Sequence, residues 1–343
     1  MWNLVASVIG AFVLVTAVGF GWSVIRPHAS AVGDQAVATE LDRLTSRRMR
    51  RIAACVIDLG SNLPVRTAYL DADETTRFEI GSVTKALTGL LLADAVSRGE
   101  VTLETMVSDV LPETDSTELG SIVLRELCTH TSGLPRLALT WTLIPRILLY
   151  GFLGLDPYRG TTVEHLLQAA ARQKLNNRGQ FKYLNLGGAV LGQILARTTG
   201  RDFSTLLSDR LLDPLAMSHS GVSTRHNRAP WGWSSLGVPR MPWILGGYAP
   251  AGGVFATLPD LAALAKQLLS GTVSGSAALT TALFAQNESR HLGMFWMIDT
   301  VPETTRQMIW HNGATGGYSA FLAIFPQTQR AVIVLANSAR PRE

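Results

Sequence analysis

The chain has 343 residues, of which 47% are apolar and only 16% charged, and its formal net charge is +4. That length can bury a large core, and that composition excludes a disordered or solvating chain. The positive balance comes from 26 arginines against four lysines with no basic run interleaved with aromatics, so nothing in it points to nucleic acid.

The first element is the run Trp2 to Ile25, which contains no charged side chain before Arg26. As a helix it would be roughly 36 Å long, enough to cross a ~30 Å hydrocarbon core. A membrane anchor at 1–25 is therefore expected, with a polar linker at 26–35. A cleaved signal peptide is the alternative, because Ala29-Ser30-Ala31 has the small-x-small look of a processing site. Against it, a positive n-region is missing and the run exceeds the usual h-region of about 7 to 15 residues. Orientation is less well marked. Arg26 and the later cluster Arg47, Arg48, Arg50 and Arg51 favour a cytoplasmic body by the positive-inside rule, but only Arg26 lies close to the span. The cluster itself reads as a solvated last helical turn, in preference to an anionic-lipid contact.

A helical pattern follows over about 36–48. IAACVIDL (52–59) and VRTAYL (65–70), separated by GSNLP, predict a β-hairpin. Ser82 to about Arg98 predicts a helix with Leu87, Leu90, Leu91 and Ala95 on one face and Gly99 as its stop. From 103 to about 270 the signals are helices and long loops, with helices expected at 121–128, 162–174, 186–198, 203–212 and 259–269. Strands return at 292–299, 306–311, 318–326 and 331–337. Strands at both ends around a helical middle predict an α+β fold: one antiparallel sheet built from both chain ends, flanked by helices, with an inserted all-helical domain. The globular body is thus expected at 36–343. Two middle segments are unusually apolar. Residues 137–155 read either as an amphipathic surface stretch beside the active site or as a buried helix pair. Residues 230–248, with Trp231, Trp233 and Trp243, line an apolar cleft or fill core. Cys55 and Cys128 form neither a disulfide framework nor a zinc site.

Three short signals carry chemistry. Ser82 and Lys85 make the only S-x-x-K of the chain, at a helix start after Gly81. Serine needs a base to take its proton, a lysine one turn along can help, and a helix amino terminus favours a developing oxyanion. KYLNLGG supplies Tyr183 and Asn185 before a helix. WHNGATGG places His311, Gly313 and Ala314 at a strand end, where glycine lets a ligand backbone approach. Each signal alone is weak, the last two reading as ordinary packing or turn residues.

In the order S-x-x-K, Y-x-N, H-x-G, the three resemble the serine beta-lactamase and penicillin-binding superfamily. The likeness is nearest to its class C beta-lactamase, D-alanyl-D-alanine carboxypeptidase and esterase branch, and covers roughly residues 36–338. It extends to flanking text such as LRELCTHTSGLP and APAGGVFATLPDLA. The resemblance implies an acyl-serine hydrolase with Ser82 as nucleophile and Lys85 as the partner lowering its proton affinity. Tyr183 becomes the general base and then the acid, Asn185 the substrate amide holder, and the N–H groups of Ser82 and Ala314 the oxyanion hole. It implies a small-molecule or peptide substrate, a catalytic body outside the cytoplasm, and no cofactor or metal.

The sequence departs from the family at two places. His311 stands where many beta-lactamases carry the lysine that grips a substrate carboxylate, which shifts the expectation toward a peptidase, amidase or esterase. The family's sheet usually carries a last helix, whereas SARPRE follows the final predicted strand, so the sheet is expected to be covered only by the helix at 36–48. A penicillin-binding sensor, acylated without turnover, is the alternative to an enzyme. No G-x-S-x-G elbow and no H-E-x-x-H occurs.

Overall fold

The structure is a computed structural model that describes residues 30–44, 50–138 and 143–339. The expected anchor at 1–25, linker residues 26–29 and the end of the predicted helix at 45–48 lie outside the described residues.

The architecture is a nine-stranded antiparallel sheet with helices on both faces. Its strands are β1 (Val32–Gly33), β2 (Ile52–Asp58), β3 (Val65–Leu70), β4 (Phe284–Ala285), β5 (Arg290–Leu292), β6 (Met297–Thr300), β7 (Gln307–Ala314), β8 (Ser319–Phe325) and β9 (Arg330–Ala336). The spatial order is β1-β3-β2-β9-β8-β7-β6-β5-β4, so the hairpin near the amino end pairs with the last strand. The sheet is thus built from both ends of the chain, because β2 and β9 alternate in register and present matching apolar rows to the same two faces.

The longer helices are α1 (Gln35–Leu44), α2 (Val83–Ser97), α3 (Leu143–Leu153), α4 (Val163–Ala171), α5 (Asn185–Thr198) and α6 (Leu258–Leu269). On one face, Val37, Ala38 and Leu41 of α1 pack on Ile52, Ala54, Ala68, Leu70 and Ala336. The opposite rows, Ala53, Cys55 and Ile57 with Ala331, Ile333 and Leu335, join the main core with α2 and α6. The expectation that only the helix at 36–48 covers the sheet is therefore corrected: α1 covers one face and α2 and α6 lie on the other. The predicted single apolar stripe is also exceeded, since α2 runs buried on every side from Val83 to Ala95, its polar Thr84, Lys85, Thr88 and Asp94 included.

Four further expectations change. The run at 292–299 is two strands, β5 and β6, joined by a turn in which Phe295 adopts φ +65° and gives its N–H to Cys128 O at 3.0 Å. That turn buries Phe295 and Trp296, and an unbroken apolar run carries no mark of such a bend. The helix at 203–212 is α-helical only over Phe203–Leu207 and continues as a π-helical turn, Ser208–Leu212. The middle is not all-helical: Val254–Ala256 pairs with Phe78–Glu79 and Gly221–Val222, and Gly232–Trp233 pairs with Pro239–Arg240 as a ribbon. The residues called linker include β1, whose Val32 pairs with Tyr69 at the sheet edge.

Candidate active site

The cleft lies where the α2 amino terminus meets the end of β7 and the helical middle. Gly81 has φ +49°, a left-handed turn that suits glycine, and delivers Ser82 as the residue before the first turn of α2. The strand closes on that turn because Gly313 has no side chain: a Cβ there would stand 1.9 Å from Ile80 O and 3.0 Å from Ser82 N. Gly313 therefore permits this close approach of the strand to the turn that carries Ser82. Pairing between β6 and β7 runs from Thr300↔Gln307 to Met297↔Trp310, which leaves the last residues of β7 facing the turn. Thr315 N bonds Tyr318 O at 3.0 Å, so the antiparallel alternation puts Ala314 at a non-hydrogen-bonded position and turns its N–H away from β8. A Cβ on Gly81 would come within 2.7 Å of Ala314 N. The amide groups of Ser82 and Ala314 thus converge beside Ser82 Oγ, and both residues line the cleft.

Lys85 sits one turn along α2 and is fully buried, at 0% exposure. Its Nζ lies 3.1 Å from Ser82 Oγ, 2.9 Å from Asn185 Oδ1 and 2.7 Å from Ala251 O. Burial, and then the Arg136 guanidinium, hold the amine well below its ordinary pKa. A neutral amine has two N–H groups and one lone pair. Two of these three neighbours, Asn185 Oδ1 and Ala251 O, can only accept, which leaves the lone pair for the Ser82 hydroxyl. Gly188 of α5 makes room for this, since a Cβ there would be 3.1 Å from Lys85 Cε.

Burial pushes the Tyr183 phenol up to about 12, against the lowering effect of the Ser82 hydroxyl. Lys85 Nζ stands 5.0 Å from the centre of its ring. Asn185 opens α5, gives its N–H to Arg136 O at 3.1 Å, and lines the cleft. Ser82, Lys85, Tyr183, Asn185 and Ala314 are therefore together. His311 stands beside them: it is 1% exposed, its ring centre is 6.3 Å from that of Tyr183, and like Tyr183 and Lys85 it lies beneath the residues that line the cleft. Burial first, then Lys85, lowers its pKa to about 3, so the ring is neutral. Its Nδ1 is 2.6 Å from Asn312 O.

Three residues were missed by sequence reasoning. His130, fully buried at φ +61°, accepts the Leu184 N–H on Nδ1 at 3.2 Å and receives Lys182 N–H on its carbonyl at 2.9 Å. It holds the Tyr183 segment in place, with ring centres 4.6 Å apart. Glu79 is buried and accepts from Thr315 Oγ1 at 2.6 Å and from Trp243 N, tying two cleft-lining segments together. Arg136, exposed at the rim, stands 5.9 Å from the Tyr183 ring centre. HTSGLPR contains two of them, but a histidine beside a threonine and an arginine after a proline carry no signal until the fold places them. Leu137, Tyr158, Trp243, Leu245 and Tyr248 form the apolar wall of the cleft. Residues of the 230–248 segment thus do line it.

Against this geometry, a model of the Beta-lactamase family matches residues 41–343. The chain belongs to that family. It is 24% identical to the "Beta-lactamase" of Escherichia coli (strain K12), over 87% of this chain and 86% of that protein. It is 27% identical to "Penicillin-binding protein 4" of Amycolatopsis lactamdurans, over 84% of this chain and 77% of that protein. A solved class C beta-lactamase from Rhodobacter sphaeroides superposes with a TM-score of 0.71 at 19% identity, covering 96% of this chain and 95% of that one. The last likeness is one of fold. Family membership accounts for a serine hydrolase in which S-x-x-K, Y-x-N and the end of β7 meet.

Proposed function

We propose that the protein is an acyl-serine hydrolase whose substrate is a peptide, amide or ester carbonyl in preference to a beta-lactam. The observation that carries the reading is the buried Lys85 amine, 3.1 Å from Ser82 Oγ and held toward its neutral form. A neutral amine there accepts the Ser82 proton as the oxygen attacks. The N–H groups of Ser82 and Ala314 hold the oxyanion. Tyr183, whose raised pKa keeps it a phenol, is better suited to donate its proton to the leaving group, Lys85 resupplying it, than to act as the first base. Water then attacks the acyl-serine by the reverse proton path. The preference against beta-lactams rests on His311, which is buried and held toward its neutral form, so the third motif offers no cation to a substrate carboxylate. An anchored body outside the cytoplasm remains part of this proposal, supported by the uniformly apolar run from Trp2 to Ile25.

A substrate panel of D-Ala-D-Ala peptide, nitrocefin and p-nitrophenyl esters tests the reading. Steady turnover of ester or peptide above nitrocefin is expected. A stoichiometric burst without a steady state would replace the enzyme by a sensor. Labelling by a fluorophosphonate probe is expected to vanish in Ser82→Ala and to persist in Ser132→Ala; equal labelling of the Ser82→Ala protein would sink the assignment.

A further inference from the structure

Helix α3 leaves large apolar side chains in solvent: Leu148 is 70% exposed and Leu149 55%, with Ile144 and Leu153 exposed on the same side. Ile147 packs inward on the core, so the helix is amphipathic with its second apolar face uncovered. The ribbon Gly232–Trp233/Pro239–Arg240 continues that surface. Met241 N donates to Gly154 O at 2.8 Å, and Pro239 O is 2.5 Å from where a Cβ of Gly154 would stand. The ribbon carries Leu236 at its tip, 78% exposed, and Trp231 at its start, also exposed. Single exposed leucines need no explanation, but a contiguous row of this kind does.

Three further observations decide what covers it. First, charge: across 143–160 and 228–245 the charged residues are Arg146, Arg159, Arg228 and Arg240 and a single carboxylate, Asp156. Asp156 is buried, accepting from Tyr158 N and Ile244 N, so the charges of these two segments that reach solvent are arginines, Arg159 exposed and Arg146, Arg228 and Arg240 partly so. Second, position: Arg146 donates to Arg159 O at 3.0 Å, tying α3 to the segment that supplies Tyr158, while Trp243 of the cleft wall follows the ribbon directly. The apolar row therefore borders the mouth of the cleft. Third, attachment: Val32 pairs with Tyr69 at the end of the sheet where Ile52 pairs with Leu70 and Ala336. Asn337 there exchanges hydrogen bonds with Arg51 and accepts from Trp233 N. The described chain thus begins at the ribbon's end of the sheet, and in sequence four residues separate its first residue, Ser30, from the apolar run that ends at Ile25.

We infer that α3 and the ribbon are a lipid-docking face, which lies on a bilayer carrying anionic headgroups and opens the cleft at its surface. Leucines enter the headgroup–acyl boundary while the arginines meet phosphate, the arrangement by which an amphipathic helix lies in an interface. The inference is independent of which acyl group Ser82 takes.

The test uses the full chain in phosphatidylcholine vesicles containing phosphatidylglycerol. Leu148→Cys is labelled with an environment-sensitive fluorophore, and the lipid chains bear a nitroxide quencher. Cys55 and Cys128 are both buried, with thiols pushed up to about 12, so the label goes to the new site. Leu63→Cys, an equally exposed leucine in the β2–β3 turn at the opposite end of the sheet, is the control. Quenching several-fold stronger at position 148 than at 63, and weakened when phosphatidylglycerol is omitted, is the expected result. Equal quenching at both positions overturns the inference, since the domain would then hang free of the bilayer. Quenching indifferent to phosphatidylglycerol removes the anionic part. A label shielded from aqueous iodide yet unquenched by lipid would mean that protein covers α3, and would also overturn it.

Discussion

The floor of the cleft and its rim invert the usual partition of a globular protein in opposite directions. At the floor, Lys85, His130, His311 and Glu79 are polar groups in the interior. At the rim, Ile144, Leu148, Leu149 and Leu236 are apolar groups in water. Both arrangements cost free energy that a fold chosen for stability alone would not spend. The floor recovers part of the cost through hydrogen bonds within the protein, as the three neighbours of Lys85 Nζ show. The rim recovers none within the described residues, and this is why the floor points to chemistry on a small molecule and the rim to a surface outside the protein.

Lys85→Met is the sharpest way to break the contrast, because it makes the floor apolar. Loss of the proton acceptor is expected to lower kcat/KM by about 10²–10⁴-fold. Stability is expected to fall by only about 1–3 kcal/mol, since Asn185 Oδ1 and Ala251 O lose one donor each. Steady-state kinetics beside a denaturant titration checks both. In the native enzyme the rate should fall on the acid side as Lys85 gains a proton. Because His311 is already neutral far above about 3, His311→Gln should keep the same acid limb. A limb that moves with His311 would reassign the titrating group.

A medium effect is expected at Glu79. Burial first holds its carboxyl at about 7, above the ordinary 4.5, against the lowering effect of Thr315 and Trp243. Below about 4.5 the folded and unfolded chains both carry the proton. Between about 4.5 and 7 the unfolded chain releases it and the folded chain keeps it, so stability falls as pH rises through that window and is level above it. Glu79→Gln should flatten this decline, as read by Tm against pH from 4 to 8. An unchanged slope would show that Glu79 is not the group responsible. The smallest effect belongs to the rim: Leu148→Glu with Leu149→Glu should change stability by no more than about 0.5 kcal/mol, because neither side chain is buried. A larger loss in a urea melt would mean that the row supports the fold and is not a free surface.

The elements with an intrinsic signature were legible. Alternating or short apolar runs at 52–58, 65–70, 319–325 and 330–336 matched strands, and Gly99 stopped α2, because these signals act over a few residues. Where distant packing decides, the reading failed. The β5–β6 turn exists because Phe295 and Trp296 are needed in the core, and the helix after Phe203 loosens into a π turn. Of the candidate site, Ser82, Lys85, Tyr183, Asn185 and Ala314 were named from the motifs, whereas His130, Glu79 and Arg136 were not. Each of the latter acts on a partner at least 45 residues away in the chain: Tyr183 for His130 and Arg136, and Trp243 for Glu79.

By itself, the order of amino acids determined which groups are available to react, which strands share a sheet, and how apolar the segments at 137–155 and 230–248 are. Only the tertiary structure decided that Lys85 is held toward a neutral amine, that His311 is buried beside Tyr183, and that α3 shows its leucines to solvent. Protonation and exposure depend on what packs around a group, and those neighbours come from remote parts of the chain that local pattern does not connect.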